Sequence, residues 1–355
     1  MSGAAARNAG ALRAQETVLA QALVEQQFAL HPELDSRYGP MGRRRCLEDA
    51  RHHLSYLAQA VESQRSELFV DYIGWVKIVL AARRIAPEDF ARQLSQLRAL
   101  LRERLPQEAA AAADRVLEEG LRDLPDLPLD VASFLDDGAP LAEVAREYVA
   151  LLRQGDRQLA SELVLATMRS GATLRDIYLE VFQRALREIG RLWQLNLISV
   201  AQEHYCTAAT QMIMSQLYPH VLAGGRTRGT LVATCVAGNL HEVGIRMLAD
   251  MFELHGWKTF FLGSNMPAEA VLAMVAERGA QVLAISATLA HQVGAVHELI
   301  ARLRTDARFA QVRVIVGGHP FRVAAGLWKE VGADGHAEDA DEAIALAERL
   351  VLPPA

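Results

Sequence analysis

The sequence has few cysteines, no surplus of basic residues and no continuous apolar run long enough to cross a membrane. Its 355 residues include three cysteines, Cys46, Cys206 and Cys235, which are too few and too scattered for a disulfide framework or a zinc cluster. The net charge is −6 and no stripe of Lys or Arg stands out, which argues against direct binding of nucleic acid. A transmembrane helix would need an apolar run of about 20 residues, and the N-terminus does not resemble a secretory signal. We therefore expect a cytoplasmic protein.

The hydrophobic pattern divides the chain into two helical regions followed by an α/β region. Apolar residues three and four apart predict helices up to residue 222, whereas short apolar runs such as "TLVATCVA" and "VRVIVGG" alternate with helices after it. Such runs are typical of strands buried on both faces of a doubly wound parallel sheet. The first 14 residues are expected to form a flexible tail. The predicted order is a helical domain at 15–123, a linker at 124–138, a four-helix bundle at 139–222, a hinge at 223–229 and an α/β domain at 229–353.

Several predicted strands end in polar or glycine-containing segments. In open parallel sheets, ligands bind at the carboxyl ends of the strands. Glycines at this edge allow a ligand to approach the backbone closely, and the histidine in "GNLHEVG" offers an imidazole that can coordinate a metal. The residues concerned are Asn239, His241 and Gly244 after the first strand, Ser286 and Thr288 after a later one, and Gly317 and Gly318 after "VRVIV".

This combination resembles the cobalamin-binding domain, whose pattern is Asp/Glu-x-His-x-x-Gly, then Ser-x-Leu/Thr, then Gly-Gly. The resemblance implies a Rossmann-like (flavodoxin-like) fold in which His241 is the lower axial ligand of cobalt and displaces the cofactor's own base (base-off/His-on). It also places Leu240, Glu242 and Val243 beside the cofactor. Asn239 departs from the family, because a carboxylate there would take up a proton and tune the basicity of the ligand. The amide therefore weakens a redox-cycling role in methyl transfer more than a static binding role.

The bundle carries "WQLNLISVAQEH", which resembles the CarH-type light sensors. In that family, the resemblance implies that Trp193 packs over the adenosyl group of adenosylcobalamin and that Glu203 hydrogen-bonds it. The family also has a histidine directly after the tryptophan, which captures cobalt after light has broken the Co–C bond. Here that position is Gln194, so His204 is the candidate for the upper ligand after photolysis.

The N-terminal stretch "RRRCLEDARHHLSYLAQAV" resembles the Cys-Leu-Arg-Asp pattern of the phycobiliproteins. The resemblance implies a globin-like domain that binds a linear tetrapyrrole such as biliverdin, with arginines pairing with the propionates. Whether a thioether forms is left open, because a free buried cysteine is equally compatible with the pattern. The candidate bilin-binding residues are Arg43, Arg44, Arg45, Cys46, Asp49, His52, His53, Asp71, Tyr72 and Trp75.

The order of the three regions resembles the photocobilins, sensors that pair cobalamin with biliverdin. The leading hypothesis is therefore a photoreceptor, not an enzyme, that binds adenosylcobalamin and biliverdin and responds to light by a change of assembly. A homo-oligomer and a separate effector protein are the expected partners, without nucleic acid or membrane. The alternative hypothesis is a corrinoid methyl carrier of a methyltransferase system, which would share the bundle, the histidine and the Gly-Gly pair.

Overall fold

The computed structural model describes residues 3–135, 138–221 and 228–351, which form two compact units with separate apolar cores. The helical unit comprises Met1–Leu129, Ala287–Glu298 and Gly318–Gly332. The bundle–sheet unit comprises Asp130–Ser286, Leu299–Gly317 and Ala333–Ala355. None of the helices within these described ranges is long and apolar enough to cross a membrane.

Helices dominate the described chain up to Asp126, which confirms the helical prediction for this region. The flexible tail predicted for the first 14 residues is wrong, because residues from Gly3 onward form a helix that buries Ala5, Ala9 and Leu12. Alanines four residues apart lie on one face of this helix and let it pack closely against its neighbours. The stretch "AAARNAGAL" contains this spacing, but alanine is only weakly hydrophobic, so the pattern is easily overlooked. The helices are α1 (Gly3–Ala14), α2 (Glu16–Leu30), α3 (Glu33–Tyr38), α4 (Gly42–Ser63), α5 (Glu67–Ala82), α6 (Pro87–Arg104) and α7 (Gln107–Asp123), with a 3-10 turn at Leu124–Asp126.

The helical unit is closed at one end by a buried lysine. The Lys77 ammonium group donates to the carbonyl oxygens of Leu124 at 2.7 Å, Pro125 at 3.0 Å and Leu127 at 2.6 Å. These three carbonyls lie beyond the end of α7, and they give the buried ammonium group the polar partners that its burial requires. The likeness of this unit to the globin fold stays a prediction.

The bundle–sheet unit begins with the predicted four helices. The third contains a π-helical segment, and the second and third begin at side-chain caps: Asp156 Oδ1 accepts from the Leu159 amide at 3.0 Å, and Thr173 and Asp176 cap each other's backbone amides. The helices are α8 (Ala142–Gln154), α9 (Arg157–Arg169), α10 (Leu174–Asp176) continued by the π segment Ile177–Gln183 and α11 (Arg184–Gln194), and α12 (Val200–Val221).

The second half of this unit contains a parallel sheet in the order β2-β1-β3-β4-β5, which confirms the predicted parallel sheet and is the order of flavodoxin-like folds. Strand register places Cys235, Ser286 and Gly317 side by side at the carboxyl edge. The three parts of the candidate motif therefore start at the same edge of the sheet, each at the end of its own strand. The strands are β1 (Gly229–Cys235), β2 (Trp257–Phe261), β3 (Val282–Ser286), β4 (Arg313–Gly317) and β5 (Gly335–His336). The helices between and after them in the chain are α13 (Val243–Leu254), α14 (Ala268–Arg278), α15 (Val293–Thr305), α16 (His319–Val323), α17 (Leu327–Glu330) and α18 (Ala340–Val351). Of these, α16, α17 and the first residues of α15 belong to the helical unit.

The segments predicted as linker and hinge have different outcomes. Glu188 on α11 accepts hydrogen bonds from the Phe134 amide at 3.0 Å and the Ser133 hydroxyl at 3.2 Å, so the end of the predicted linker is attached to the bundle. The hinge predicted at 223–229 lies outside the described residues up to Thr227. The exact domain boundaries stay predictions.

Candidate functional site

His241 lies in the loop between β1 and α13, at the carboxyl edge of the sheet. Its side chain reaches solvent, yet surrounding protein partly desolvates it and lowers the pKa of the imidazole, while the Glu203 carboxylate acts in the opposite sense. A lowered pKa keeps the ring neutral at neutral pH. A neutral ring has a free nitrogen lone pair, which is what metal coordination requires.

Asn239 holds the loop that carries this histidine. It is fully buried; its Nδ2 donates to the Ser286 carbonyl at 3.0 Å, and its Oδ1 accepts from the His241 amide at 3.1 Å. The amide group thus joins β3 to the loop through the backbone and does not reach the imidazole ring. An aspartate could not make the Nδ2 bond, so the departure from the family pattern has a structural consequence here.

Asn265 is a second amide at this edge, and it is not among the residues predicted from the sequence. Its Oδ1 accepts from the Gly238 amide at 2.8 Å, and its own backbone amide donates to the Asn239 carbonyl at 3.0 Å. Asn265 has a positive φ of 54°, a conformation that asparagine tolerates better than most residues. The signal in the sequence is "GSNMP", a turn-forming stretch after β2, but nothing there indicates its partners.

The bundle brings two predicted residues to the same unit as His241. Glu203 on α12 is near enough to act on the pKa of His241, and its Oε1 accepts from the Thr207 hydroxyl at 2.9 Å. Trp193 at the end of α11 is half-buried and packs against the apolar core. His204 hydrogen-bonds Glu203 but has 76% of its side chain exposed, because successive residues of a helix point in different directions.

Polar contacts fasten the bundle to α13, the helix that follows His241. Gln211 Nε2 donates to Glu242 Oε1 at 3.0 Å, which gives Glu242 a role between α12 and the loop. The Tyr178 hydroxyl, on the π-helical segment, donates to Asp250 at 2.8 Å in a buried setting. Burial raises the pKa of Asp250, and the Tyr178 hydroxyl opposes that rise. These hydrogen bonds connect the bundle to α13 and to the His241 loop that precedes it.

The glycines of the motif have two different reasons to be glycine. A Cβ at Gly318 would lie 1.9 Å from the Ala287 carbonyl oxygen, and its φ is 111°, so the protein itself requires glycine there. A Cβ at Gly244 would meet nothing within 4 Å, and one at Gly317 would make an ordinary contact at 3.4 Å. Neither of these two is demanded by the fold, which fits positions where a ligand passes close to the backbone.

Ser286 and Thr288 lie at and just beyond the end of β3. The Ser286 carbonyl accepts from Asn239 and from the Val236 amide at 3.1 Å. In the helical unit, the Thr288 amide donates to Gln292 Oε1 at 2.9 Å, and Gln292 is almost fully buried. Leu240 and Val243 flank His241; Leu240 has 72% of its surface exposed, an unusual value for leucine beside a candidate cofactor site.

The residues predicted to bind a bilin do not form a single cluster. Arg43 makes a bidentate ion pair with Asp35, and Arg44 pairs with Glu48 at 3.1 Å on the surface. Burial raises the pKa of the Cys46 thiol to about 11, so it is not a reactive thiolate. Of the other candidates, only His53 and Tyr72 are buried. Asp71 pairs with His319 at 2.8 Å. The side chains exposed to solvent are those of Arg45, Asp49, His52, Asp71 and Trp75.

His53 and Tyr72 belong to an aromatic cluster inside the helical unit. His53 Nδ1 and the Tyr72 hydroxyl are 2.8 Å apart, and the Tyr56 and Tyr72 rings stack at 3.7 Å. The His291 ring packs edge-on against Tyr56 at 5.0 Å. Burial lowers the pKa of His53 to about 4, with a smaller contribution from His52 and an opposing one from Gln93.

This buried histidine predicts an acid-sensitive helical unit. In the unfolded chain His53 takes up a proton near pH 6.5, whereas in the folded chain it does so only near pH 4. The contribution of the neutral His53 to the free energy of unfolding is therefore complete above pH 6.5 and is lost as the pH falls toward 4. The free energy of unfolding should fall by about 3 kcal/mol over this pH range. Urea denaturation of wild type and His53→Gln between pH 7 and pH 4 checks this; parallel pH profiles for the two proteins would contradict it.

Comparison with known proteins identifies the class of the bundle–sheet unit. Residues 229–345 match a family model described as a B12 binding domain, and residues 144–218 match a second model of the same description. The chain therefore carries a cobalamin-binding module, which confirms cobalamin as the cofactor. Neither matched range includes the N-terminal helices, so this conclusion does not extend to them.

The relatives are corrinoid proteins. A corrinoid protein of Desulfitobacterium hafniense is 27% identical over 202 residues, which are 56% of this chain and 92% of that protein. Dimethylamine corrinoid protein 2 of Methanosarcina mazei is 31% identical over 133 residues, or 37% of this chain and 61% of that protein. The solved structure of a Methanosarcina barkeri monomethylamine corrinoid protein has a similar fold, with a TM-score of 0.54 and 22% identity over 59% of this chain and 100% of that one.

These findings correct the leading hypothesis. The photoreceptor prediction is wrong, because the similar proteins are named as corrinoid proteins and two of them as methylamine corrinoid proteins. The light-driven change of assembly and the role of His204 after photolysis depended on that hypothesis and are withdrawn with it. The expectation that the chain is a cofactor-binding protein and not itself an enzyme is confirmed by the same relatives.

Proposed function

We propose that the chain is a corrinoid methyl carrier that presents its cofactor to a separate methyltransferase. The observation that supports it most directly is the solvent-accessible side chain of His241 at the carboxyl edge of the sheet, in a unit that matches B12 binding domains. A carrier must hold its cofactor firmly and still let partner enzymes reach it. A lone histidine ligand on an exposed loop meets both needs.

The residues present fit a cobalamin bound in this way. The cofactor, when bound, supplies the cobalt atom that carries a methyl group. His241 offers the lower nitrogen ligand, and the open space beside Gly244, together with the bare backbone at Gly317, suits the displaced nucleotide tail. Asn239 and Asn265 hold the loop so that the imidazole position is preset, which lowers the entropy lost on binding.

The test compares cofactor forms on the full chain. A methyl carrier should bind methylcobalamin at least as tightly as adenosylcobalamin and should keep the cofactor bound through chemical reduction and remethylation with iodomethane. Absorption spectra and filtration after each step report both properties. Release of the cofactor on reduction, or a strong preference for the adenosyl form, would contradict the methyl-carrier proposal.

A second candidate is a static adenosylcobalamin-binding protein. The observation that favours it is the Asn239 amide, which hydrogen-bonds to the backbone and does not supply the carboxylate that tunes a redox-cycling ligand from this position. In this candidate, Trp193 and Glu203 hold the adenosyl group. Trp193→Ala and Glu203→Gln should then weaken binding of adenosylcobalamin and leave methylcobalamin unchanged.

The helical unit is the subject of a separate proposal, that it binds a linear tetrapyrrole. The supporting observation is that Gln59 Nε2 and His291 Nδ1 are buried without a hydrogen-bond partner among the described residues, near the stacked Tyr56 and Tyr72. The raised pKa of Cys46 predicts that any attachment is non-covalent. Full-length protein purified with biliverdin should gain a red absorption band that Tyr72→Phe reduces; a protein that stays colourless in the red would refute the proposal.

The partners follow from the carrier function. A methyltransferase is the expected partner, and self-association stays a prediction that does not depend on light. Sedimentation of the full chain, with and without methylcobalamin, measures self-association.

A further inference from the structure

The helical unit contains two chain segments that come directly after strands of the sheet. Residues 287–298 follow β3 and include Thr288, and residues 318–332 follow β4 and include Gly318. Both residues belong to the motif that resembles the cobalamin-binding domain, and Gly318 directly follows Gly317, beside which the proposed function places the nucleotide tail. The N-terminal helices therefore pack in one unit with two pieces of the candidate cofactor site.

Gln59 on α4 holds the first segment. It is fully buried, and its Oε1 accepts from the Gly294 amide at 3.0 Å. Gly294 lies in the first turn of α15, where backbone amides have no partner inside the helix. A Cβ at Gly294 would lie 3.2 Å from both Gln59 Oε1 and Glu62 Oε2, so glycine allows this close approach.

The contact with Gln59 is passed on to Thr288 within the same segment. Gln292, two residues before Gly294, accepts from the amides of Thr288 at 2.9 Å and Leu289 at 3.0 Å. The edge-on packing of His291 against Tyr56 adds an aromatic contact between this segment and α4. A shift of Gly294 would therefore move the turn that sets the backbone of Thr288.

Asp71 on α5 holds the second segment. Its Oδ2 lies 2.8 Å from Nε2 of His319, the residue directly after Gly318. Arg65 Nε donates to Glu330 at 3.0 Å farther along the same segment. Since Gly318 packs so closely on the Ala287 carbonyl that a Cβ would not fit, the two segments also fix each other.

The geometry points to Gln59 and Asp71 as positioning residues for the tail part of the cobalamin site, so that the N-terminal helices set the affinity for complete cobalamin. This inference rests on the proposed cobalamin site. It assigns the helices a function in cofactor retention that is separate from any ligand of their own. The coupling is reciprocal, so bound cobalamin should also stabilise the helical unit.

The experiment compares cobalamin with cobinamide, a corrinoid that lacks the nucleotide tail, on the full chain. Gln59→Met and Asp71→Asn should each weaken cobalamin binding by about two- to tenfold, the effect of one hydrogen bond or ion pair, and leave cobinamide binding unchanged. A purely destabilising change would weaken both ligands equally. Asp35→Asn is the matched control, because it breaks an ion pair with Arg43 in the same unit without touching either segment.

Each outcome decides the inference. Unchanged cobalamin affinity in both variants, or an equal loss for cobinamide, would overturn it. If Gln59→Met fails to fold, the exposed Asp71→Asn variant carries the test alone. A wild-type chain that binds neither corrinoid would instead refute the proposed function and this inference with it, whereas binding of both with no difference between variants refutes the inference alone.

Discussion

Replacing His241 by alanine is expected to weaken cobalamin binding by about 100-fold or more, since loss of an outer-shell partner of a metal ligand alone costs up to about that much. The variant offers no nitrogen beneath the cobalt, so any cobalamin that remains bound should keep its own base coordinated. Titration by absorption spectroscopy measures both the affinity and the coordination. The fold should be unaffected, because the imidazole makes no hydrogen bond among the described residues and its ring reaches solvent.

The control for this variant is His255→Ala, at the opposite end of α13. His255 is exposed, and its ring contacts only the Met251 carbonyl at 2.8 Å among the hydrogen bonds described, so its loss should not change the affinity. Equal affinities for wild type, His241→Ala and His255→Ala would mean that His241 is not a ligand. The affinity of wild type should also hold as the pH falls below the ordinary histidine value, because the pKa of His241 is lowered and protonation competes with cobalt only at lower pH.

Replacing Gly244 by leucine is expected to abolish cobalamin binding without unfolding the protein. A Cβ at this position meets nothing within 4 Å and lies in a helix, so leucine satisfies local preferences better than glycine does. If the open space takes the nucleotide tail, the added side chain fills it. Binding of cobinamide should be retained to a greater extent than binding of cobalamin.

Gly10→Leu is the matched control for this change. Gly10 also lies in a helix and is exposed, and a Cβ added there would likewise meet nothing within 4 Å, but it is in α1 of the helical unit. Both variants should melt at or above the wild-type temperature, and only Gly244→Leu should lose cobalamin. Normal cobalamin affinity in Gly244→Leu would show that the tail does not pass this residue.

The fold of the α/β region was readily predictable because its central strands β1, β3 and β4 are short, largely apolar runs that end in distinctive residues, whereas the two-residue strand β5 (Gly335–His336) has no such pattern. The motif around His241 could be found since its glycines, histidine and serine keep fixed positions at strand ends. The two reasons for glycine, a clash at Gly318 and open space at Gly244, could not be separated by sequence, because both depend on atoms distant in the chain.

The predicted light sensor failed for a related reason. The spacing from Trp193 to Glu203 is a short pattern between two amphipathic helices, and a half-buried tryptophan packed on the bundle core satisfies it without any adenosyl group. In the N-terminal helices, two of the three arginines before Cys46 have acidic partners: Arg43 pairs with Asp35 and Arg44 pairs with Glu48. Such ion pairs depend on the three-dimensional arrangement and cannot be predicted from a short run of arginines in the sequence.

The most direct test of His241 as the cobalt ligand is electron paramagnetic resonance of the cobalt(II) form of unlabelled cobalamin bound to uniformly ¹⁵N-labelled protein. The unpaired electron couples to the axial nitrogen, and ¹⁵N and ¹⁴N split the cobalt lines into doublets and triplets respectively. We expect doublets, from the imidazole of His241, which disappear in ¹⁵N-labelled His241→Ala. Triplets in the labelled wild type would show that the cofactor keeps its own base, and would contradict the assignment of His241 as the cobalt ligand.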